Sequence, residues 1–134
     1  MLLKAYTALY VATFAYAGVL SRCLLALLSK SVPPGESFLG ALGHGFFLPN
    51  ILGCFVMGFV HKLGVSVKPG SAPLLKGLTV GFCGSCTTFA TWQLVVGEAA
   101  LRGRWLDSLL QSTLTFATSY AAYTVGRAVE SWPD

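Results

Sequence analysis

Gly81-Phe82-Cys83-Gly84-Ser85-Cys86-Thr87-Thr88-Phe89-Ala90-Thr91-Trp92 sits inside a stretch with no formal charge from Gly77 to Gly97. That length matches the roughly 20 apolar residues a helix needs to cross a bilayer. Its centre, however, is glycine, serine and a pair of β-branched threonines. Glycine costs about 1 kcal/mol against alanine in a helix interior. Serine and threonine hydroxyls offer the backbone hydrogen bonds that compete with the helical ladder. The crowding predicts a helix broken near Gly84 to Thr87, with a continuous helix bearing a polar packing face as the plainer alternative. Unwound backbone at membrane depth persists only where it is buried in protein or lines a watery path. Such a break leaves carbonyls free on one half-helix, which suit cations, and N–H groups free on the other, which suit anions.

Three further runs have spanning length, so we expect four transmembrane helices over about residues 5–28, 37–60, 75–97 and 106–126, and one all-α membrane domain over 1–134. A mean hydropathy of +0.69 and a charged fraction of only 10% leave too little polar side chain to cover a water-facing surface. Lipid accepts these apolar residues instead. The run after Lys4 has no small-residue cleavage site and reads as a span, not a cleavable leader. Basic residues occur singly or in short clusters, so there is no patch for nucleic acid.

Lys and Arg bias sets membrane orientation. With four spans, Lys4, Lys62, Lys68, Lys76 and Arg127 fall on one side, and Arg22, Lys30, Arg102 and Arg104 on the other. This near balance fits a chain that inserts in both directions, or a weak bias with other features fixing one direction. Gly77 and Gly81, Cys54 and Gly58, and Ala8 and Ala12 have the small-residue spacing of close helix contacts.

Several side chains could carry chemistry. Phe89 and Trp92 lie three apart on one helical face. Aromatic rings are positive at their edges, so they can hold an anion edge-on, or simply pack against lipid or a neighbouring helix. Ser108, Ser112, Thr115 and Ser119 form a hydroxyl stripe, which could line an ion path or bond between helices. Asn50, mid-span, must find partners for its amide, as a structural bridge or as a donor in a pore. Arg22 near a span end fits a snorkelling side chain, and His44 an interface residue.

No Asp or Glu falls within a span: Glu36, Glu98, Asp107, Glu130 and Asp134 all lie at edges or in tails. A proton-coupled four-helix exporter needs an embedded carboxylate, which counts against that reading. Cys83 and Cys86 have redox or zinc spacing, yet neither further zinc ligands nor a second, loop-borne cysteine pair accompany them. We therefore expect reduced thiols packed as small apolar groups, with Cys23 and Cys54 alike, and no enzyme activity.

The quoted stretch resembles the GFCGG-x-TTFSTF signature of the Fluc (CrcB-type) fluoride channels. Pro49-Asn50-Ile51-Leu52-Gly53-Cys54-Phe55-Val56-Met57-Gly58 resembles that family's second-helix motif, and Gly18-Val19-Leu20-Ser21-Arg22 its first-helix G-xxx-R. The likeness covers nearly the whole chain, with the motifs in the family's order. It implies a fluoride-selective channel in the cell membrane that exports fluoride passively. It also implies an antiparallel, dual-topology homodimer with two pores at its interface, and a central structural sodium held by the carbonyls of Gly84 and Thr87. By position it places Asn50, Phe89, Trp92, Thr91, Ser108, Ser112, Thr115 and Arg22 along the fluoride path.

Trp92 stands where bacterial members usually carry a second phenylalanine, Ala90 replaces a serine, and Val95 stands where many carry glutamate. The Cys83-Gly84-Ser85, Thr87-Thr88-Phe89 and Trp92 pattern looks more like the eukaryotic fluoride exporters, which are fused two-repeat chains, whereas this chain holds one repeat. It therefore reads as a stand-alone subunit or as one half of a heterodimeric pair. The remaining alternative is a small multidrug-type exporter of four helices.

Overall fold

The computed structural model describes residues 2–33, 43–66 and 71–129, and within them every regular element is helical. Helix α1 (Leu2–Ser29) is followed by α2 (Phe47–Ser66). The next helical path is composite. A short α3 (Ala72–Lys76) passes into a π-helical stretch, Gly77–Cys83, and then into one α-helical turn, α4 (Gly84–Cys86). Two extended residues, Thr87 and Thr88, follow. Helix α5 (Phe89–Leu101) then leads through a tight turn at Gly103, the only described residue with positive φ (76°), to α6 (Trp105–Ala128).

By length and composition, Leu3–Ser29 is a helix able to cross a membrane, and Phe47–Leu63 is a shorter apolar helix. Residues 37–42, the expected start of the second span, lie outside the described residues. The expected fourth span corresponds to α6, whose described bounds are slightly wider.

The interruption falls at the far edge of the expected Gly84 to Thr87 stretch and one residue beyond it. Gly84 keeps helical angles (φ −64°, ψ −31°), while Thr87 (φ −73°, ψ 152°) and Thr88 (φ −139°, ψ 108°) are extended. The cause is local. β-Branched residues favour extended backbone, and the Thr88 N–H is captured from outside its own helix by the Asn50 side chain, at 2.8 Å. The wider π turn was not foreseen. It places Gly77 and Gly81 directly against α1, where an added Cβ at Gly77 would press on Tyr10 and Phe14, and one at Gly81 on the Val11 carbonyl and on Ala15. At Gly18 of α1 the same seam meets Phe82 and Ser85. Ser85 Oγ lies 2.8 Å from the Ala15 carbonyl and 2.7 Å from that of Gly81, so one hydroxyl ties the two helices. α1 and the stretch from Ala72 to Cys86 therefore run parallel, closely joined by small residues.

A second seam joins α2 and α6, which run parallel, with Phe47 near Leu114 at one end and His61 against Tyr123 at the other. A Cβ on Gly58 would strike the backbone of Tyr123, and one on Gly126 that of Phe55. Phe46 and Phe47 form a fully buried cluster against Ile51, Trp92, Val95 and Leu114. Ala8 and Ala12, in contrast, are exposed. The four cysteines are free thiols, with Cys83 and Cys86 buried.

Candidate functional site

A groove of about 470 Å³ opens between α2, the Thr87–Thr88 interruption, α5 and α6. The interruption is its central feature, and Asn50 builds it. Asn50 Oδ1 accepts the Thr88 N–H at 2.8 Å, and Asn50 Nδ2 approaches the Thr88 carbonyl at 3.5 Å. In an unbroken helix the Thr88 N–H would serve the Gly84 carbonyl. That carbonyl has therefore lost its helical donor. The next turn repeats the substitution. Thr88 caps α5, with its Oγ1 accepting the Thr91 N–H at 3.4 Å, which in an unbroken helix would serve the Thr87 carbonyl. With α5 starting at Phe89, the carbonyls of Gly84, Ser85, Cys86 and Thr87 all lose their helical donors, and of these residues Gly84 and Thr87 line the groove. A Cβ on Gly84 would meet nothing nearer than the Thr79 carbonyl at 4.0 Å. Packing within the chain therefore does not require glycine at that position.

Of the side chains singled out in the sequence, Asn50, Phe89, Trp92, Thr115 and Ser119 line the groove together. Phe89 and Trp92 meet edge-to-face, with centroids 5.4 Å apart at 65°. Trp92 also leans on Phe116 at 6.3 Å. Phe89 is 70% exposed, so the chain itself does not bury it. Trp92 Nε1 and Thr115 Oγ1 are buried and have no hydrogen-bond partner among the described residues.

The others fall elsewhere. Ser112 lines a separate groove beside Trp92, Thr113 and Phe116, and spends its hydroxyl on the Ser108 carbonyl at 2.8 Å. Ser108 is buried and lines neither groove. Thr91 is exposed, with its hydroxyl 3.0 Å from that of Thr88. Arg22 lies on α1, outside the groove.

The groove also has lining that sequence reasoning missed: Cys54, Met57, Tyr120 and Tyr123. A helical period from Thr115 and Ser119 on α6 reaches Tyr123, which is the signal that could have found it. Among the described residues the groove holds no carboxylate and no Lys or Arg, and no group of His, Cys, Asp or Glu is placed to hold a metal ion. Any ion here would meet carbonyls, an amide, hydroxyls and ring edges.

Comparison with known proteins identifies the family. The family model described as CrcB-like protein, Camphor Resistance (CrcB), matches residues 9–127. The fluoride-specific ion channel FluC of Ruegeria pomeroyi is 33% identical over 120 residues, covering 90% of this chain and 88% of that protein. Fluoride-specific ion channel FluC 2 of Staphylococcus saprophyticus is 38% identical over 76 residues, covering 57% of this chain and 56% of that protein. The Geotalea uraniireducens FluC is 38% identical over 86 residues, covering 64% and 65%. The alignment thus spans little more than half of the Staphylococcus protein and nearly the whole of the Ruegeria one. On the match to residues 9–127, the chain belongs to the CrcB-like family.

Proposed function

We propose that this chain is the subunit of a fluoride-selective channel that lets fluoride leave the cell passively. One observation carries the reading. A groove beside a helix interruption gathers Asn50, Phe89, Trp92 and Thr115 without a carboxylate or a basic side chain among its described lining. A small, strongly hydrated anion needs hydrogen-bond donors and positive ring edges to replace its water. The relatives' names, all fluoride-specific ion channels, agree. A proton-coupled exporter would need an embedded acid.

In this reading the chain crosses the cell membrane four times, with the third crossing broken at Thr87–Thr88, and pairs antiparallel with a second copy or a homologous subunit to make two pores. Two features support pairing. Phe89 stands mostly exposed on one chain, and Gly84 is small although nothing within the chain crowds it. The Gly84 and Thr87 carbonyls, freed of their helical donors, fit a sodium ion, since partially charged oxygens suit a small hard monovalent cation. When bound, that ion supplies a positive potential that favours anions nearby. Asn50 holds the interruption open, and Thr115 offers an unspent hydroxyl.

Liposomes holding only this chain, loaded with fluoride or chloride and read with ion-selective electrodes, test the proposal. Fluoride should escape while chloride stays. Release of neither ion, or of both equally, would overturn it.

A further inference from the structure

The groove does not end at the ion-pathway residues. It continues along α6 to Tyr120 and Tyr123, at the end of the bundle where α2 and α6 close over the Gly58–Gly126 seam. There the Tyr123 hydroxyl lies 2.9 Å from His61 Nδ1, and the two rings sit 6.3 Å apart at 31°. His61 is exposed, so bulk protons reach it.

We propose that Tyr123 is an anion-binding group at this end of the groove, and that the protonation of His61 decides which way its hydroxyl points. The inference rests on the channel reading above and adds its regulation. A phenol has one hydrogen, and it both donates and accepts. A neutral imidazole with a bare Nδ1 takes the Tyr123 hydrogen, leaving oxygen lone pairs to face the groove, and these repel an anion. In imidazolium both ring nitrogens are donors. Nδ1–H then donates to the Tyr123 oxygen, and the phenol hydrogen must turn away from His61, free to donate to an anion in the groove. The imidazolium adds a positive charge at the mouth.

The charged and titratable groups described at this end are Lys4, Tyr6 and Tyr10 of α1, Lys62 of α2, Lys76 of α3, and Tyr120 and Arg127 of α6. The two described ion pairs, Arg102–Glu98 and Arg104–Asp107, lie at the opposite end. No described carboxylate competes for the imidazolium or for the freed hydroxyl. The cations that remain draw anions toward Tyr123.

Fluoride efflux from liposomes holding the full chain, corrected for protein-free vesicles, should rise about threefold or more as the pH falls from about 7.5 to about 5.5. Both His61→Gln and Tyr123→Phe should lose the rise. A pH-flat parent, or a rise that survives either substitution, would overturn the switch while leaving the channel reading intact. A parent that passes no fluoride at either pH would overturn the channel reading, and this inference with it. Size-exclusion profiles of the two variants matching the parent's show that loss of the rise is not loss of fold. A His61→Gln profile that collapses is replaced by His61→Asn, judged by the same criterion.

Discussion

The helical segments on either side of Thr87–Thr88 belong to one apolar run, yet they are built in opposite ways. Before the interruption, Gly77, Gly81 and Cys83 are buried, and the glycines let α1 come within backbone contact. After it, Phe89 and Leu94 are exposed, Gly97 has nothing within 4 Å, and the segment is anchored through Trp92 and Val95 to the Phe46–Phe47 cluster. The first segment completes the chain's own core. The second presents its rings outward beside the interruption, where an ion or a second copy can use them. Hydropathy alone makes the two look alike, because buried and lipid-facing surfaces are equally apolar.

Paired glycine substitutions probe this contrast with the largest expected effect. Gly81→Leu drives a side chain into the Val11 carbonyl and Ala15, and the overpacking should cost about 3 kcal/mol. Fluorescence-detected size exclusion should show loss of the monodisperse species. Gly97→Leu should leave that profile unchanged. Equal damage at both sites would mean that the two segments do not differ as described.

At the interruption itself, Asn50→Ala strands the Thr88 N–H inside the protein, at a cost of about 2 kcal/mol. We expect a lower melting temperature in detergent together with reduced fluoride efflux. Efflux at the parent's level would show that the interruption persists without its amide partner.

Beyond the interruption, function and stability should separate. Phe89→Ile keeps apolar bulk at an exposed position but removes the positive ring edge. Melting should shift little, while fluoride efflux falls about tenfold, a change of about 1.4 kcal/mol in barrier height. Unchanged efflux would make Phe89 a packing residue only.

Much of this site was legible before the fold. The glycine and hydroxyl crowding at Gly84 to Thr87 pointed to an interruption because local preference contributes to it, but its place at Thr87–Thr88 also depends on Asn50 of α2. Gly77 and Gly81 announced a close helix contact, but not that its partner is α1 or that the turn there is π-helical, since both depend on which helices meet. The hydroxyl stripe on α6 was read as one track, yet only Thr115 and Ser119 face the main groove. Ser112 turns to its own backbone, and Ser108 is buried. Tyr123 and His61 escaped notice because their relation spans 62 positions and exists only once α2 and α6 pack side by side.

Passive conduction without an embedded acid is the central claim, and one electrical measurement tests it directly. Liposomes holding this chain are loaded with potassium fluoride at equal pH inside and out, diluted into fluoride-free potassium-poor buffer, and followed with a fluoride electrode. Passive movement of a bare anion builds a membrane potential and stalls, so fluoride should escape in bulk only when valinomycin lets potassium follow. Bulk release without valinomycin, matched by proton movement, would contradict the account and identify a proton-coupled exporter instead.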